Sequence, residues 1–247
     1  MIFDCFKKKR SNPSVIIPRP IPIETPRQAQ ERYDGVNTGN ARNPDWRYLA
    51  STISLDDDSA KRGTINWYYK QYLKVSGELI RAAEVAAAPH WFLAGIDMRE
   101  MSFNHKGHFA NGDEIIGTGR LTYRVPKGLG PADSWEESVL QAMVYEEGHN
   151  ARFDKLVGPN MNFADALEAW EIYNGLGFRS KGEYSEYVMG FTNHHDETGR
   201  YVADGRYSSS SKVTRPGAAA FILYMLEKGK VSSEELNGKR NSFIKIF

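Results

Sequence analysis

Pro89 divides a long stretch of helix-forming sequence into two parts. The preceding segment, Thr64 to Ala87, is rich in helix formers, and a proline stops such a helix and can occupy the first turn of the next. The following segment, from about His90 to Ser102, has apolar residues four and eight positions before Glu100. Residues at that spacing share one face of a helix. The sequence therefore predicts two helices that meet at Pro89, with Glu100 on an apolar face near the end of the second.

The pattern changes after Phe103. Glycines become frequent there and surround two short runs of strand-forming residues, at 114–116 and 121–125. Short runs between glycine-rich turns are typical of a small antiparallel sheet. Asp113 lies at the entrance to this predicted sheet.

Further helices are predicted in the second half of the chain. Ser134 and Glu137 have the spacing of a capping box, at the start of a helix that ends near Gly148. Another helix runs from about Phe163 to Tyr173, and Pro216 opens a last apolar helix. The predicted fold class is therefore α+β, mostly helical, with a small antiparallel sheet beside the helix that carries the candidate acid.

The first 45 residues differ in composition from the rest of the chain. Six of the 11 prolines precede residue 46, together with the basic run Lys7 to Arg10. Such a stretch favours an extended or polyproline conformation laid against another surface. We therefore expect a Pro-rich, basic tail or linker over residues 1–45 and one domain over residues 46–247.

The overall charge argues against nucleic acid as a partner. Lys and Arg number 32 and Asp and Glu 31, so the formal net charge of +1 provides no field that would hold a nucleic acid.

No apolar run approaches the roughly 18 residues of a membrane-spanning helix. Charged residues after Met1 lie where a signal peptide has its apolar centre. We expect a soluble protein made in the cytoplasm, whose single cysteine, Cys5, leaves the domain to be held by packing.

Glu100 and Asp113 are predicted to be carboxyl groups in unlike surroundings. Glu100 against Phe92 and Ile96 loses solvation, which raises a carboxyl pKa, whereas a carboxylate in a polar loop with backbone donors stays ionised. Cleavage of a glycosidic bond uses such a pair, one to protonate the leaving oxygen and one to activate water or stabilise positive charge on the sugar. The alternative is structural, with Glu100 in a helix-end salt bridge and Asp113 in a turn.

Several short motifs resemble those of lysozyme-like proteins found in phages and bacteria. The stretch from Glu100 to Asn104 (E-M-S-F-N) and the stretch from His108 to Asp113 (H-F-A-N-G-D) are similar to the family's E-S-S-F-N and H-L-H-N-G-D. Three further motifs of the family, W-E-x-S, Y-N-G-x-G-Y-R and G-K-Y-V-x-D-G, have their counterparts at Trp135–Ser138, Tyr173–Arg179 and Gly199–Gly205. The resemblance covers about residues 90–217, with all the motifs in the same order.

The resemblance implies a lysozyme-like fold with a catalytic glutamate at a helix end, which falls on Glu100. The spacing to Asp113 is similar to that between the catalytic glutamate and a second acidic residue in goose-type lysozymes. Tyr173 and Asn174 resemble the tyrosine and asparagine of the A-Y-N-A-G segment that lines the glycan cleft of lytic transglycosylases. Met101 departs from the family, which often has serine there, and puts one expected hydrogen bond in doubt.

The loop-rich segment between Leu176 and Arg215 is the candidate for substrate binding. It is crowded with aromatic residues, among them Tyr201, whose flat faces suit stacking on sugar rings. Asn193 and Asp204 are candidates to hydrogen-bond sugar hydroxyls. Core packing is the alternative for each aromatic residue taken singly.

Histidines raise a metal site as a rival interpretation. His105, His108, His194 and His195 have acidic residues nearby in the sequence, as zinc ligands often do. The spacing argues otherwise, because no H-E-x-x-H occurs and the pair at 105 and 108 falls in a predicted turn. We therefore predict no metal and no cofactor.

The sequence leads to the expectation of a peptidoglycan hydrolase that cleaves the β-1,4 bond between N-acetylmuramic acid and N-acetylglucosamine, with glycan strands as its partner. A lytic transglycosylase, or a non-catalytic glycan-binding protein of a phage particle, is the alternative. Without a signal peptide, access to the cell wall would need a holin-like pore, delivery within a virion or another secretion route.

Overall fold

The computed structural model of the chain describes residues 44–181, 183–203 and 206–239. Nine α-helices and one antiparallel hairpin occur in these ranges, and about 53% of the structure is helical. The predicted α+β class is therefore confirmed. The helices are α1 (Trp46–Thr52), α2 (Ser59–Ala86), α3 (His90–Glu100), α4 (Trp135–His149), α5 (Ala151–Leu156), α6 (Phe163–Tyr173), α7 (Glu186–Met189), α8 (Ala218–Glu227) and α9 (Ser233–Leu236). A 3-10 helix, Leu176–Lys181, precedes α7, and the hairpin consists of β1 (Thr198–Ala203) and β2 (Arg206–Lys212).

The helices predicted from local signals form at or close to the expected positions. Helices α2 and α3 meet at Pro89, although α2 begins at Ser59, ahead of the predicted start. Asp58 explains that earlier start, because its side chain accepts a hydrogen bond from the Lys61 amide and caps the helix. Helix α6 has the predicted bounds, and Ser134 caps α4 through the Glu137 amide at 3.1 Å.

Helix α3 is the centre of the molecule, since every residue from Trp91 to Arg99 is buried. The close contact between α3 and α6 depends on Gly95. A Cβ atom at that position would lie 2.8 Å from two ring carbons of Trp170, so only glycine allows the ring to lie there. The Trp170 indole nitrogen donates to the Phe92 carbonyl at 3.1 Å and fixes the ring in place. This contact determines how α3, and therefore Glu100 at its end, lies against α6.

The predicted sheet over 114–125 is wrong. That stretch belongs to an irregular loop between α3 and α4, and neither run is a strand. The backbone amides of Tyr123 and Arg124 donate to the Asp113 carboxylate at 2.7 and 2.9 Å instead of to a neighbouring strand. A side chain therefore satisfies the backbone donors that a sheet would have paired.

The hairpin that does form is β1–β2, within the segment where the sequence showed few periodic signals. Tyr201 lies opposite Tyr207 in the register. Both rings contact Phe178 edge-on, with centroids 5.0 and 5.9 Å from it, so the hairpin packs on the 3-10 helix. The serine-rich sequence of β2 is a weak strand former, and pairing and packing determine its conformation.

Within the described ranges, every helix is either too short or too polar to cross a bilayer. The predicted tail at residues 1–45 lies outside the described residues except for its last two, Pro44 and Asp45. Asp45 caps α1, since its side chain accepts a hydrogen bond from the Tyr48 amide at 3.0 Å. The predicted boundary between tail and domain at residue 45 stays a prediction.

Candidate active site at the end of helix α3

A cleft of about 690 Å³ opens at the C-terminal end of α3. It lies between the end of that helix, the residues that follow α6, helix α7 and strand β1. Its lining combines one carboxyl group at the helix end with aromatic rings, glycines and an ion pair. The lining residues are Arg99, Glu100, Asn174, Gly175, Gly177, Phe178, Glu186, Tyr187, Tyr201, Val202 and Arg215.

Glu100 is the acidic residue of this cleft that has no salt bridge. It is half-buried, whereas the residues before it in α3 are fully buried. Burial raises the pKa of the Glu100 carboxyl, and the Tyr187 hydroxyl and the guanidinium groups of Arg99 and Arg215 oppose that rise without cancelling it. The Tyr187 hydroxyl itself makes no hydrogen bond of regular geometry. A carboxyl in these surroundings keeps its proton to a higher pH than an ordinary glutamate.

Arg215 fixes the end of α3 from a distant part of the chain. Its guanidinium donates to the carbonyl oxygens of Met98 and Arg99 at 3.0 and 2.7 Å. It also donates to the Tyr68 hydroxyl at 3.1 Å. The last carbonyls of a helix lack helical partners and carry partial negative charge, so a cation there stabilises the helix end. Arg215 therefore holds the turn from which Glu100 projects.

Arg99 and Glu186 form the ion pair of the cleft. The Arg99 guanidinium donates to both Glu186 carboxylate oxygens at 3.0 Å and to the Pro216 carbonyl at 3.0 Å. The same guanidinium lies over the Tyr187 ring, 4.9 Å from its centroid. This arrangement ties α3 to α7 and sets the position of the Tyr187 ring beside Glu100.

Helix α7 lies close to the start of α8 because Gly190 and Gly217 contact each other there. A Cβ atom on Gly217 would lie 2.3 Å from the Val188 carbonyl oxygen and 2.6 Å from the Gly190 nitrogen. Gly217 donates its amide to the Gly190 carbonyl at 2.8 Å. A side chain at residue 217 would push α7, and with it Tyr187, away from the start of α8.

The Tyr173 hydroxyl interacts electrostatically with both Glu100 and Glu146. Tyr173 donates its hydroxyl to the Phe109 carbonyl at 3.1 Å. Burial and the charges of Glu100 and Glu146 raise its pKa well above the ordinary tyrosine value. Burial also raises the pKa of Glu146 to about 7, against the opposing charge of His149. Tyr173 is therefore a neutral hydroxyl that donates to a backbone carbonyl.

Asp113 occupies a different environment from Glu100. Its side chain is fully buried, accepts the Tyr123 and Arg124 amides, and lies 3.3 Å from the Arg124 side chain. The preceding Gly112 packs against the end of α3, where a Cβ atom would lie 2.9 Å from the Glu100 carbonyl oxygen. The backbone thus passes close to Glu100, while the Asp113 carboxylate is directed into its own loop. Its predicted part in catalysis stays a prediction.

The predicted binding residues are divided among three places. Asn174 and Tyr201 line the cleft with Glu100, and Tyr173 lies behind it. Asn193 lines a separate cavity of about 470 Å³ and bonds to the backbone of Ser54 at 2.8 Å. Asp204 lies outside the described residues.

Sequence reasoning missed four residues that build the site: Arg99, Glu146, Glu186 and Arg215. Arg99 carried a usable signal, because a charge near the end of a largely apolar helix needs a partner when it is buried. The partner Glu186 is 87 residues away, and no local pattern connects the two. Among the described residues, no group of three or more His, Cys, Asp or Glu side chains is placed to hold a metal ion.

Comparison with known proteins finds no match for this chain, whether to a family model, to a curated protein or to a solved structure.

Proposed function

We propose that this protein cleaves the glycan strands of peptidoglycan, as a lysozyme-like hydrolase of the β-1,4 glycosidic bond, with Glu100 as the general acid. The observation that carries the proposal is the state of Glu100: a half-buried carboxyl with a raised pKa that lines an open cleft. The other acidic residue of the cleft lining, Glu186, is paired with Arg99, and the Asp113 carboxylate accepts amides of its own loop.

Glycosidic cleavage needs a proton for the leaving oxygen. A carboxyl group with a raised pKa holds its proton to a higher pH and can supply it, and a general acid contributes about 10²–10⁴-fold to the rate. The aromatic lining from Phe178 and Tyr201 suits stacking on sugar rings, and the Asn174 amide has the donors and acceptor that hydroxyl groups require. The Tyr187 hydroxyl next to Glu100 offers one more polar contact at the reacting end.

The surroundings of Asp113 favour a second candidate, a lytic transglycosylase. Hydrolysis uses a second carboxylate to activate water or to stabilise the sugar cation. The Asp113 carboxylate is shielded from solvent, and Glu186 in the cleft is bound on both oxygens by Arg99. When no second carboxylate takes part, the sugar's own hydroxyl attacks and the product is an anhydro sugar.

Mass spectrometry of digested peptidoglycan tests both candidates. We expect the full-length protein to release muropeptides with glycan ends, and reducing ends identify hydrolysis. Anhydromuramoyl ends would identify transglycosylation and keep Glu100 as the acid. Cut peptides on intact glycan strands would overturn both. Binding to cell walls with no new ends would identify a non-catalytic glycan-binding protein, such as a structural part of a virion.

A further inference from the structure

Residues 117–130, named here the basic loop, display three apolar side chains to solvent. The exposed fractions are 48% for Leu121, 61% for Tyr123 and 74% for Val125. Thr122, between Leu121 and Tyr123, is buried, whereas Arg124, between Tyr123 and Val125, is exposed. Soluble proteins seldom place large apolar side chains together at the tip of a loop unless the loop contacts a partner.

All the charged side chains of the basic loop are positive. Arg120, Arg124 and Lys127 lie within it, and no Asp or Glu occurs between residues 117 and 130. All three cations are exposed, in a chain whose formal net charge is only +1. The acidic residues that flank the loop in sequence, Glu114 and Asp133, lie outside it. Cations therefore surround the apolar tip.

The fold holds the basic loop in this conformation. The Thr122 hydroxyl donates to the Pro126 carbonyl at 2.7 Å and accepts the Leu129 amide at 3.0 Å, which closes the loop on itself. The Asn111 side-chain amide donates to the carbonyls of Arg124 and Pro126 at 3.1 and 3.3 Å.

The Asp113 carboxylate binds the base of the loop from inside, through the two backbone amides already described. The apolar side chains therefore project outward from an ordered loop instead of folding back onto the core. A surface arranged in advance loses little conformational entropy when it binds.

We propose that the basic loop docks into the interface of an anionic lipid bilayer. Arg and Lys match the negative headgroups, while the Leu, Tyr and Val side chains enter the boundary between headgroups and acyl chains. A soluble polyanion would use the cations alone and would leave the three apolar side chains in water. The combination of an apolar tip with surrounding cations therefore favours a bilayer. This proposal does not rest on the cleavage of glycan.

Vesicle sedimentation tests the proposal with the full-length protein. Lys7, Lys8, Lys9 and Arg10 are replaced by serine in all samples, so that the basic N-terminal run does not contribute to binding. We expect binding to vesicles of mixed phosphatidylglycerol and phosphatidylcholine and weak binding to phosphatidylcholine alone. Failure to bind the anionic vesicles would overturn the proposal.

Two sets of loop variants separate the apolar from the charged contribution. Replacement of Leu121, Tyr123 and Val125 together by serine is expected to weaken binding about tenfold or more. Arg120→Ser and Lys127→Ser are each expected to weaken it about fivefold. Arg124 is left in place because it contacts Asp113.

Matched controls replace side chains of the same kind elsewhere on the surface. Val85→Ser with Val144→Ser removes exposed apolar residues, and Lys70→Ser with Lys155→Ser removes exposed charges. Neither pair is expected to change binding. If the control pairs weaken binding as much as the loop variants do, no docking surface resides in the basic loop and the proposal fails.

A probe on the loop reports insertion directly. In a Cys5→Ser background, Val125→Cys or Val144→Cys is labelled with an environment-sensitive dye. The dye at 125 is expected to shift to the blue with anionic vesicles, and the dye at 144 is not. Binding that soluble polyglutamate matches, with no shift at 125 and no effect of the apolar substitutions, would identify an acidic polymer as the partner and overturn the bilayer.

Discussion

Glu100 and Asp113 are 13 positions apart in the sequence and have opposite surroundings. Asp113 is fully buried, yet two backbone amides and a guanidinium compensate its charge. Glu100 is only half-buried and forms no salt bridge with another described residue, and burial raises its pKa although the charges of Arg99 and Arg215 oppose the rise. The number of partners, more than depth, thus distinguishes a carboxylate that supports a loop from one that is available for chemistry.

The difference has a physical cause. Hydrogen bonds to the ionised form stabilise a carboxylate, whereas desolvation without such bonds favours the protonated acid. A carboxyl that is easily protonated can donate a proton, whereas the Asp113 carboxylate, which accepts two backbone amides on one oxygen and lies beside Arg124 with the other, supports its loop. Removal of the charge should therefore lower activity at Glu100 and lower stability at Asp113.

The largest expected effect is the loss of activity in Glu100→Gln. The amide keeps the shape of the side chain but cannot donate a proton, so glycan cleavage should fall about a hundredfold or more. Stability should be kept or should rise at neutral pH. A carboxyl with a raised folded pKa binds its proton more tightly in the folded state, so the ionised form reduces stability above that pKa.

Cell-wall turbidity and thermal unfolding of the same samples measure the two effects of Glu100→Gln. Glu234→Gln on the exposed face of α9 is the matched control and should change neither. Clearing of cell walls at the parent rate by Glu100→Gln would remove this residue from the mechanism.

Asp113→Asn should act mainly on stability. Loss of the charge weakens the partly buried hydrogen bonds from the Tyr123 and Arg124 amides and the contact with Arg124, at a cost of about 1–3 kcal/mol. For a domain of this size that corresponds to a fall in melting temperature of about 2–4 °C per kcal/mol. Asp133→Asn, an exposed aspartate of the same loop, should cost almost nothing. A loss of activity at unchanged melting temperature would instead support the predicted catalytic role of Asp113.

Gly95→Ala tests the close packing of α3 on α6, which positions Glu100 at the end of α3. The added methyl group would meet the Trp170 ring, so the variant should lose about 1–3 kcal/mol in the free energy of unfolding. Gly63→Ala in α2 is the matched control, because no atom lies within 4 Å of a Cβ there. That substitution should stabilise the helix by about 0.5–1 kcal/mol. Equal effects of the two substitutions, measured by urea unfolding, would contradict the close packing of α3 on α6.

The smallest effect is expected at His105, which lies between Glu100 and Asp113 in the sequence. His105 stacks on Trp135 with ring centroids 3.6 Å apart and bonds to Asp97 and Glu78 at 2.8 and 2.6 Å. Burial lowers the pKa of His105, but the two carboxylates outweigh it and raise the pKa above 6.5. The stability from this charge is complete below that ordinary value and is lost as the pH rises through the folded pKa.

Glu78→Gln should remove part of that stability. Glu78 is partly exposed and screened by solvent, so the loss below the His105 pKa should be only about 0.5 kcal/mol and should vanish at alkaline pH. Unfolding measured across the pH range, with Glu84→Gln on the same helix as the control, provides the comparison. A loss that does not depend on pH would show that Glu78 contributes through packing and not through the histidine charge.

Local sequence was a good guide wherever a structure depends on residues close together in the chain. The break at Pro89, the bounds of α6 and the cap at Ser134 involve positions within four residues of one another, and all were predicted. The sheet at 114–125 was predicted from the same kind of signal and does not form. Strands need partners, and here the Asp113 side chain takes the amides that a partner strand would need.

The sequence by itself determined that a carboxyl group stands on the apolar face of a buried helix, at the helix end, because helical periodicity places Phe92, Ile96 and Glu100 in line. Only the tertiary structure decided what surrounds that carboxyl. Arg215 reaches the carbonyl of Met98 across 117 positions of sequence, and Glu186 reaches Arg99 across 87. Contacts at such separations depend on how helices pack, which no local periodicity encodes, and they determine which carboxyl has a charged partner and which has none among the described residues.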